Sequence, residues 1–299
     1  MRRKKPKRLL SAVLIFAILA VGAYVFATAI NGDGGPILVE SASSRPRTED
    51  ASSAASASFP HFTREVHISE IADTQYLKLV NRDRAVANPV SHTHLTTVWP
   101  DMPARTSYVK LHETAFLAMR ELFAAAQNAN IGSLFIASGY RSQEEQSNLY
   151  TNAVDKAYVM PPGHSEHQLG LAADILSGDD TSGMRGSEEA RWLAANAPAF
   201  GLILRYPEDK QEITGVAYEP WHFRYVGRIH AHYMEQHNFV LEEYIEYLRT
   251  QGGFQREFAG RSYYVLYQRP ENGIILVPEQ LDFRVSSTNT GGYVVTAWR

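Results

Sequence analysis

Apolar residues recur along this chain in three rhythms. The first is unbroken: Leu9 to Ile30 is a stretch of 22 residues without a charge. At 1.5 Å per residue it is long enough to cross a hydrocarbon core of roughly 30 Å. The second rhythm is helical. Leu111, Ala115, Met119, Leu122 and Phe123 share one face of a helix predicted over Lys110–Asn130 and stopped at Gly132. Further helices are predicted over Gln143–Ala157, from the N-cap Ser187 through Ala195, over Arg228–Gln236 and over Leu241–Thr250. The third is the short apolar run of a buried strand, at Ser133–Ser138, Leu171–Leu176 and Trp221–Val226. After Gly252 and Gly253 break the pattern, Ser262–Gln268, Gly273–Val277, Phe283–Ser287 and Gly292–Ala297 alternate with turn residues and predict hairpins. Helices and strands mix without strict alternation, so the expected class is α+β. No internal repeat is present.

These rhythms divide the chain into a basic segment (1–8), a transmembrane anchor (9–30), a polar stalk rich in Ser, Ala, Asp and Glu (31–58), a catalytic domain (59–252) and a small β appendage (253–299). Arg2, Arg3, Lys4, Lys5, Lys7 and Arg8 flank the apolar stretch and should stay in the cytoplasm, placing the rest outside the membrane. A cleaved signal peptide would have a shorter apolar region, of about 7–15 residues. Ala27-Thr28-Ala29 offers a cleavage site, but the length favours an uncleaved single-pass anchor. The stalk has too little apolar surface to offset the entropy of ordering it.

Net charge is −3 despite that basic start, so the remainder is acidic, which argues against a nucleic-acid partner. There is no cysteine, so any metal must be held by His, Asp or Glu. Three blocks stand where strands meet loops: Ser138-Gly-Tyr-Arg-Ser142, Ser165-Glu-His-Gln-Leu-Gly-Leu-Ala-Ala-Asp174 and Glu219-Pro-Trp-His-Phe-Arg-Tyr-Val-Gly227. His167, Asp174 and His222 make a two-imidazole, one-carboxylate set that suits Zn²⁺ and leaves room for water. Glu219, three residues before His222, is placed to move a proton, and Arg141 supplies a fixed cation for an oxyanion or a terminal carboxylate. Spacing alone leaves a structural role open, because the chain has eleven histidines and an isolated histidine is usually structural. His164 reads as a loop residue at the pocket rim, and the pair His92 and His94 as structural, with no partner carboxylate near in sequence.

The same blocks resemble the zinc D-alanyl-D-alanine carboxypeptidases, the VanY type above all. The likeness runs from about Tyr140 to Thr250 and includes Leu202–Lys210 and Asn238–Leu248. It implies a hedgehog-like fold, a small antiparallel sheet flanked by helices. It implies one Zn²⁺ per chain on His167, Asp174 and His222, with Glu219 as general base and acid and Arg141 stabilising the transition state. It implies that Ser165 binds substrate and that Ser138, Tyr140 and Gln146 line the pocket. The substrate implied is a peptidoglycan stem peptide or its precursor ending in D-Ala-D-Ala, or in D-lactate, with a role in vancomycin resistance or in household wall trimming. No protein partner is implied.

Three competing readings remain at this level. An L,D-carboxypeptidase or an endopeptidase of peptidoglycan would use the same metal site. Ser107-Tyr-Val-Lys110 matches the S-x-x-K of serine-type penicillin-binding enzymes, but the partner motifs S-D-N and K-T-G are missing. A non-catalytic wall-binding module would have no use for Glu219 and Arg141 beside a three-ligand site, since a structural zinc is normally closed by a fourth protein ligand.

Overall fold

A computed structural model of the chain describes residues 59–86, 92–178 and 182–299. The expected anchor (9–30) and stalk (31–58) lie outside the described residues. Among the described residues, no helix is long and apolar enough to cross a membrane. In chain order the elements are β1 (Phe62–His67), β2 (Leu95–Thr97), β3 (Lys110–His112), α1 (Glu113–Asn128), β4 (Leu134–Ser138), α2 (Gln143–Asn152), β5 (Ala172–Ser177), α3 (Glu188–Asn196), β6 (Leu202–Leu204), α4 (Gln211–Thr214), β7 (His222–Tyr225), α5 (Arg228–His237) and α6 (Leu241–Gln251). Five strands follow: β8 (Gly253–Phe258), β9 (Arg261–Gln268), β10 (Ile274–Pro278), β11 (Asp282–Ser287) and β12 (Tyr293–Trp298).

Four of the strands form an antiparallel sheet in the order β4-β5-β7-β6. The apolar face of α1, with Ala115, Phe116, Met119 and Leu122, packs with Ile136, Ile175 and Phe223 of this sheet into one core. Each large side chain buried there contributes about 1.5–3 kcal/mol relative to exposure. The helix begins at Glu113 rather than Lys110. Leu111 keeps the helical spacing, but Lys110–His112 pair with β2, and the His112 ring accepts from the Thr114 amide at 3.3 Å to cap α1. Ser142 and Glu145 form a reciprocal capping box that starts α2. That helix ends at Asn152, short of the expected Ala157, because Ala153 turns to extended backbone.

The second four-stranded sheet has the order β11-β12-β9-β8. Its residues Val265, Tyr267 and Val294 pack against Met234, Tyr244, Ile245 and Leu248 of α5 and α6. The four expected strands are present, with β11 and β12 as a hairpin, but β10 pairs with β1 rather than β9, and the hairpin of β9 is with β8, an addition. Gly252 caps α6 in the left-handed region, and Gly253 lets the chain pass so close to β9 that a Cβ there would lie 1.9 Å from the Val265 carbonyl oxygen. The glycine pair is thus a tight joint between helix and strand as well as a break. Strand β1 pairs antiparallel with β10, so Phe62 shares a small core with Ile275, Val277 and Val295.

His230 of α5 fastens this sheet to the helices. It is buried, with Nδ1 2.7 Å from the Tyr244 hydroxyl and Nε2 2.9 Å from Thr296 Oγ1. Burial pushes its pKa down to about 3, so the ring is neutral in the fold. An exposed histidine binds a proton below about pH 6.5. The unfolded chain therefore holds the extra proton between these two values, and stability falls as pH drops through that window, by at most about 1.4 kcal/mol per pH unit from this group. Urea unfolding at pH 8 and pH 5 should show a smaller pH-dependent loss in His230→Gln than in the parent chain.

Candidate active site

Register places the chemistry. Ser138 of β4 lies opposite Asp174 of β5, and Asp174 lies opposite His222 of β7. Directly opposed residues share a face of the sheet, which lines these three side chains up in a row. His167 reaches the row from a single 3₁₀ turn, Glu166–Leu169, which ends at Gly170 in the left-handed region and feeds straight into β5. His167, Asp174 and His222 each offer a ligand atom, and these atoms lie within 4.8 Å of one another.

Protonation and orientation fit a metal. His167 Nδ1 lies 2.6 Å from the Gly139 carbonyl oxygen and so carries the proton, which leaves Nε2 as a lone pair facing Asp174 Oδ1 at 3.4 Å. That nitrogen is buried and has no hydrogen-bond partner among the described residues. Burial, reinforced by Arg141, pushes His167 down to about 4, so it is neutral as a ligand must be. His222 Nδ1 is 3.0 Å from Asp174 Oδ1. Burial alone would lower the His222 pKa, but the Asp174 and Glu166 carboxylates outweigh it and raise it to about 9. A dication among the three donors would take the place of that proton. Asp174 is buried, yet its carboxyl is held well below the usual range, with His222 Nδ1 donating to it at 3.0 Å.

Two further groups flank the donors. Glu219 is buried, with Oε2 3.8 Å from His222 Nδ1, and burial pushes its carboxyl up to about 8. Arg141 reaches Asp174 Oδ2 at 3.3 Å. Its Nε donates to Ser138 Oγ at 3.1 Å and its Nη1 to Gln146 Oε1 at 2.8 Å. These groups open onto a cavity of about 550 Å³, lined also by Ser165 and rimmed by Leu149, Tyr158, Trp221 and Arg185.

A family profile described as VanY, D-alanyl-D-alanine carboxypeptidase, matches residues 108–228. A D-alanyl-D-alanine carboxypeptidase of Enterococcus faecium is 40% identical over 179 residues, which are 60% of this chain and 58% of that one. Among solved structures, the LdcB LD-carboxypeptidase is 33% identical with a TM-score of 0.51, covering 58% of this chain and 86% of the other. The chain belongs to the VanY family. The vancomycin resistance D,D-dipeptidase VanXYg, solved with a D-Ala-D-Ala phosphinate analogue, matches with a TM-score of 0.68 at 29% identity over 79% of this chain and 98% of the other. The chain spans less than two thirds of the length of the curated Enterococcus faecium relative.

In this VanY-family chain, Ser165 lines the cavity, whereas Ser138 and Gln146 do not. They grip Arg141, and the Gln146 amide also donates to the Met160 carbonyl at 2.6 Å. Tyr140 lies outside the cavity lining, edge-on to His92 at 5.7 Å between ring centroids. His164 Nδ1 meets the Asn81 carbonyl oxygen at 2.8 Å and stands outside the donor group. His94 stacks on His112 and approaches Glu113 at 3.6 Å. Ser107 and Lys110 are exposed and outside the cavity lining.

Sequence reasoning assigned no role to Glu166, Arg205 or Arg224. Glu166 is buried with Oε1 2.8 Å from Arg205 Nε and 2.9 Å from Arg224 Nη1, and Arg205 continues to Glu242 at 2.7 and 2.8 Å. Burial opposes its ionisation, but the two guanidiniums prevail and hold the Glu166 carboxyl far below its usual range. Arg224 Nη2 also donates to the carbonyls of Gln75, Tyr76 and Lys78. The signal was an arginine within each of two apolar strand runs, Leu-Ile-Leu-Arg205 and Trp-His-Phe-Arg224. A charge in such a position is almost never buried without a partner.

Asp174→Ala should lower the affinity for Zn(II), read by competition with a chromogenic chelator, by more than the 10–100-fold that loss of an outer-sphere partner costs. The circular dichroism of the variant at pH 7 should remain that of a folded chain.

Proposed function

We propose that the chain is a zinc-dependent D,D-carboxypeptidase that removes the terminal D-Ala, or D-lactate, from peptidoglycan stem peptides. The observation that carries this reading is one ligand set, His167, Asp174 and His222, with Glu219 beside one imidazole and Arg141 bound to the shared aspartate. Two imidazoles, one carboxylate and no cysteine suit Zn²⁺ with an open position. Zinc held there would polarise the scissile carbonyl and make water a better nucleophile.

The residues of the chain supply the rest. Glu219 takes a proton from the attacking water and gives it to the amide nitrogen as the C–N bond breaks, releasing D-Ala and leaving a carboxylate on the shortened peptide. Its raised pKa suits the return of the proton, and a neighbouring dication would draw it down for the first transfer. Arg141, its fork fixed by Ser138, Gln146 and Asp174, faces the oxyanion or the terminal carboxylate. Ser165 offers a hydroxyl to the substrate backbone from the cavity wall.

The apolar stretch over 9–30 and its basic flank support tethering in the cytoplasmic membrane with the catalytic part outside, where the wall is built. Removal of the last residue of D-Ala-D-Ala would destroy the ligand of vancomycin, which supports a resistance role. The likeness to an LD-carboxypeptidase supports a second reading, in which the substrate is the tetrapeptide.

Mass spectrometry of a pentapeptide ending in D-Ala-D-Ala should show loss of one D-Ala, stopped by chelator and unaffected by penicillin. Release from the tetrapeptide alone would establish the second reading. Glu219→Ala should lower kcat by about 10²–10⁴-fold with zinc content unchanged. Gln146→Ala, which frees one arm of Arg141, should cost up to about 100-fold in kcat/KM, again with zinc retained.

A further inference from the structure

We infer that Glu166 is a positioning residue of the metal centre, whose free carboxylate oxygen fixes the ring of His222 with Nδ1 toward the other two donors. The inference rests on the reading of His167, Asp174 and His222 as metal ligands. Glu166 precedes one of them in the chain, yet its carboxylate serves the other.

The argument starts from two buried atoms. Oε1 of Glu166 takes both guanidiniums, at 2.8 and 2.9 Å. Oε2 is left without a hydrogen-bond partner among the described residues, and so is Nε2 of His222. The two are 3.6 Å apart. One is an acceptor and the other, in the tautomer that frees Nδ1, a donor, and a shift of a few tenths of an ångström would join them. A buried polar atom left unpaired costs about 1–3 kcal/mol, so two complementary ones facing each other belong together. With Nδ1 on a cation, the opposite N–H is a stronger donor to a carboxylate, and such outer partners orient the ring and raise the basicity of the ligand.

The surrounding charges hold Glu166 still. Arg205 and Arg224 are fully buried, Glu242 clamps Arg205 from behind, and the carbonyls of Gln75, Tyr76 and Lys78 occupy Arg224. For stability alone, such a group is often replaceable by apolar residues of similar volume without loss. Here it anchors a carboxylate whose remaining oxygen points at a ligand.

The test compares three variants of the full chain, Glu166→Asp, Glu166→Gln and Glu242→Gln. Glu242→Gln removes charge from the same network without touching the Glu166–His222 pair, and so serves as the control for stability. At one fixed pH, Zn(II) affinity should fall about 10–100-fold in both Glu166 variants. The visible absorption of the Co(II)-substituted protein should shift in the same two. Glu242→Gln should lower the urea midpoint but keep the parental affinity and spectrum. If Glu166→Gln does not fold, Glu166→Asp, which retains the charge for both arginines, carries the comparison. Parental affinity in the Glu166 variants, or an equal loss of affinity in Glu242→Gln, would overturn the inference. Failure of the parent chain itself to bind Zn(II) would instead overturn the proposed function.

Discussion

The antiparallel register of β4, β5 and β7 is the constraint on which the site depends. It sets Ser138, Asp174 and His222 in one row across three strands. A slip of one residue in either pairing would separate Ser138 or His222 from the other two by sending it to the opposite face. Asp174 stands at the centre, with Oδ1 near both imidazoles and Oδ2 on Arg141. A single carboxylate thus fixes the relative placement of the candidate donors and of the Arg141 guanidinium. The core beneath, where α1 packs on the sheet, keeps the register from drifting.

Two other carboxylates share the cavity, and their surroundings drive them apart. Burial dominates at Glu219, and its pKa rises to about 8. Glu166 is at least as deeply buried, but two guanidiniums hold it ionised. The first is therefore able to gain and lose a proton near neutral pH, while the second is a fixed negative charge. Such a division between neighbouring acids is a common means of assigning one to chemistry and another to electrostatics.

Much of this was legible in the sequence, for identifiable reasons. Apolar runs gave β4, β5 and β7, helical spacing gave α1, α5 and α6, and three ordered blocks gave the donors, Glu219 and Arg141. What escaped depends on contacts between distant parts of the chain. Strand β6 has three residues, too few for a period to show, and β1 exists through its pairing with β10 at the far end of the fold. Leu111 obeys the helical spacing, yet its backbone pairs with β2. Ser138 and Gln146 were expected on the pocket wall, but the arginine between them in sequence folds back and occupies both. The partners of Glu166 lie on β6, β7 and α6, which no local pattern joins.

Arg224 carries a consequence for where this chain can be divided. Its Nη2 donates to carbonyls of residues 75–78, and its neighbour Arg205 donates to Glu242, all outside the stretch 108–228 that matches the family. A fragment trimmed to the family boundaries would keep all three candidate donors and Glu166, but lose the carbonyls that bind Arg224 and the Glu242 carboxylate that binds Arg205. The family match thus spans the candidate donors, while the buried arginines behind them are paired from both flanks of it.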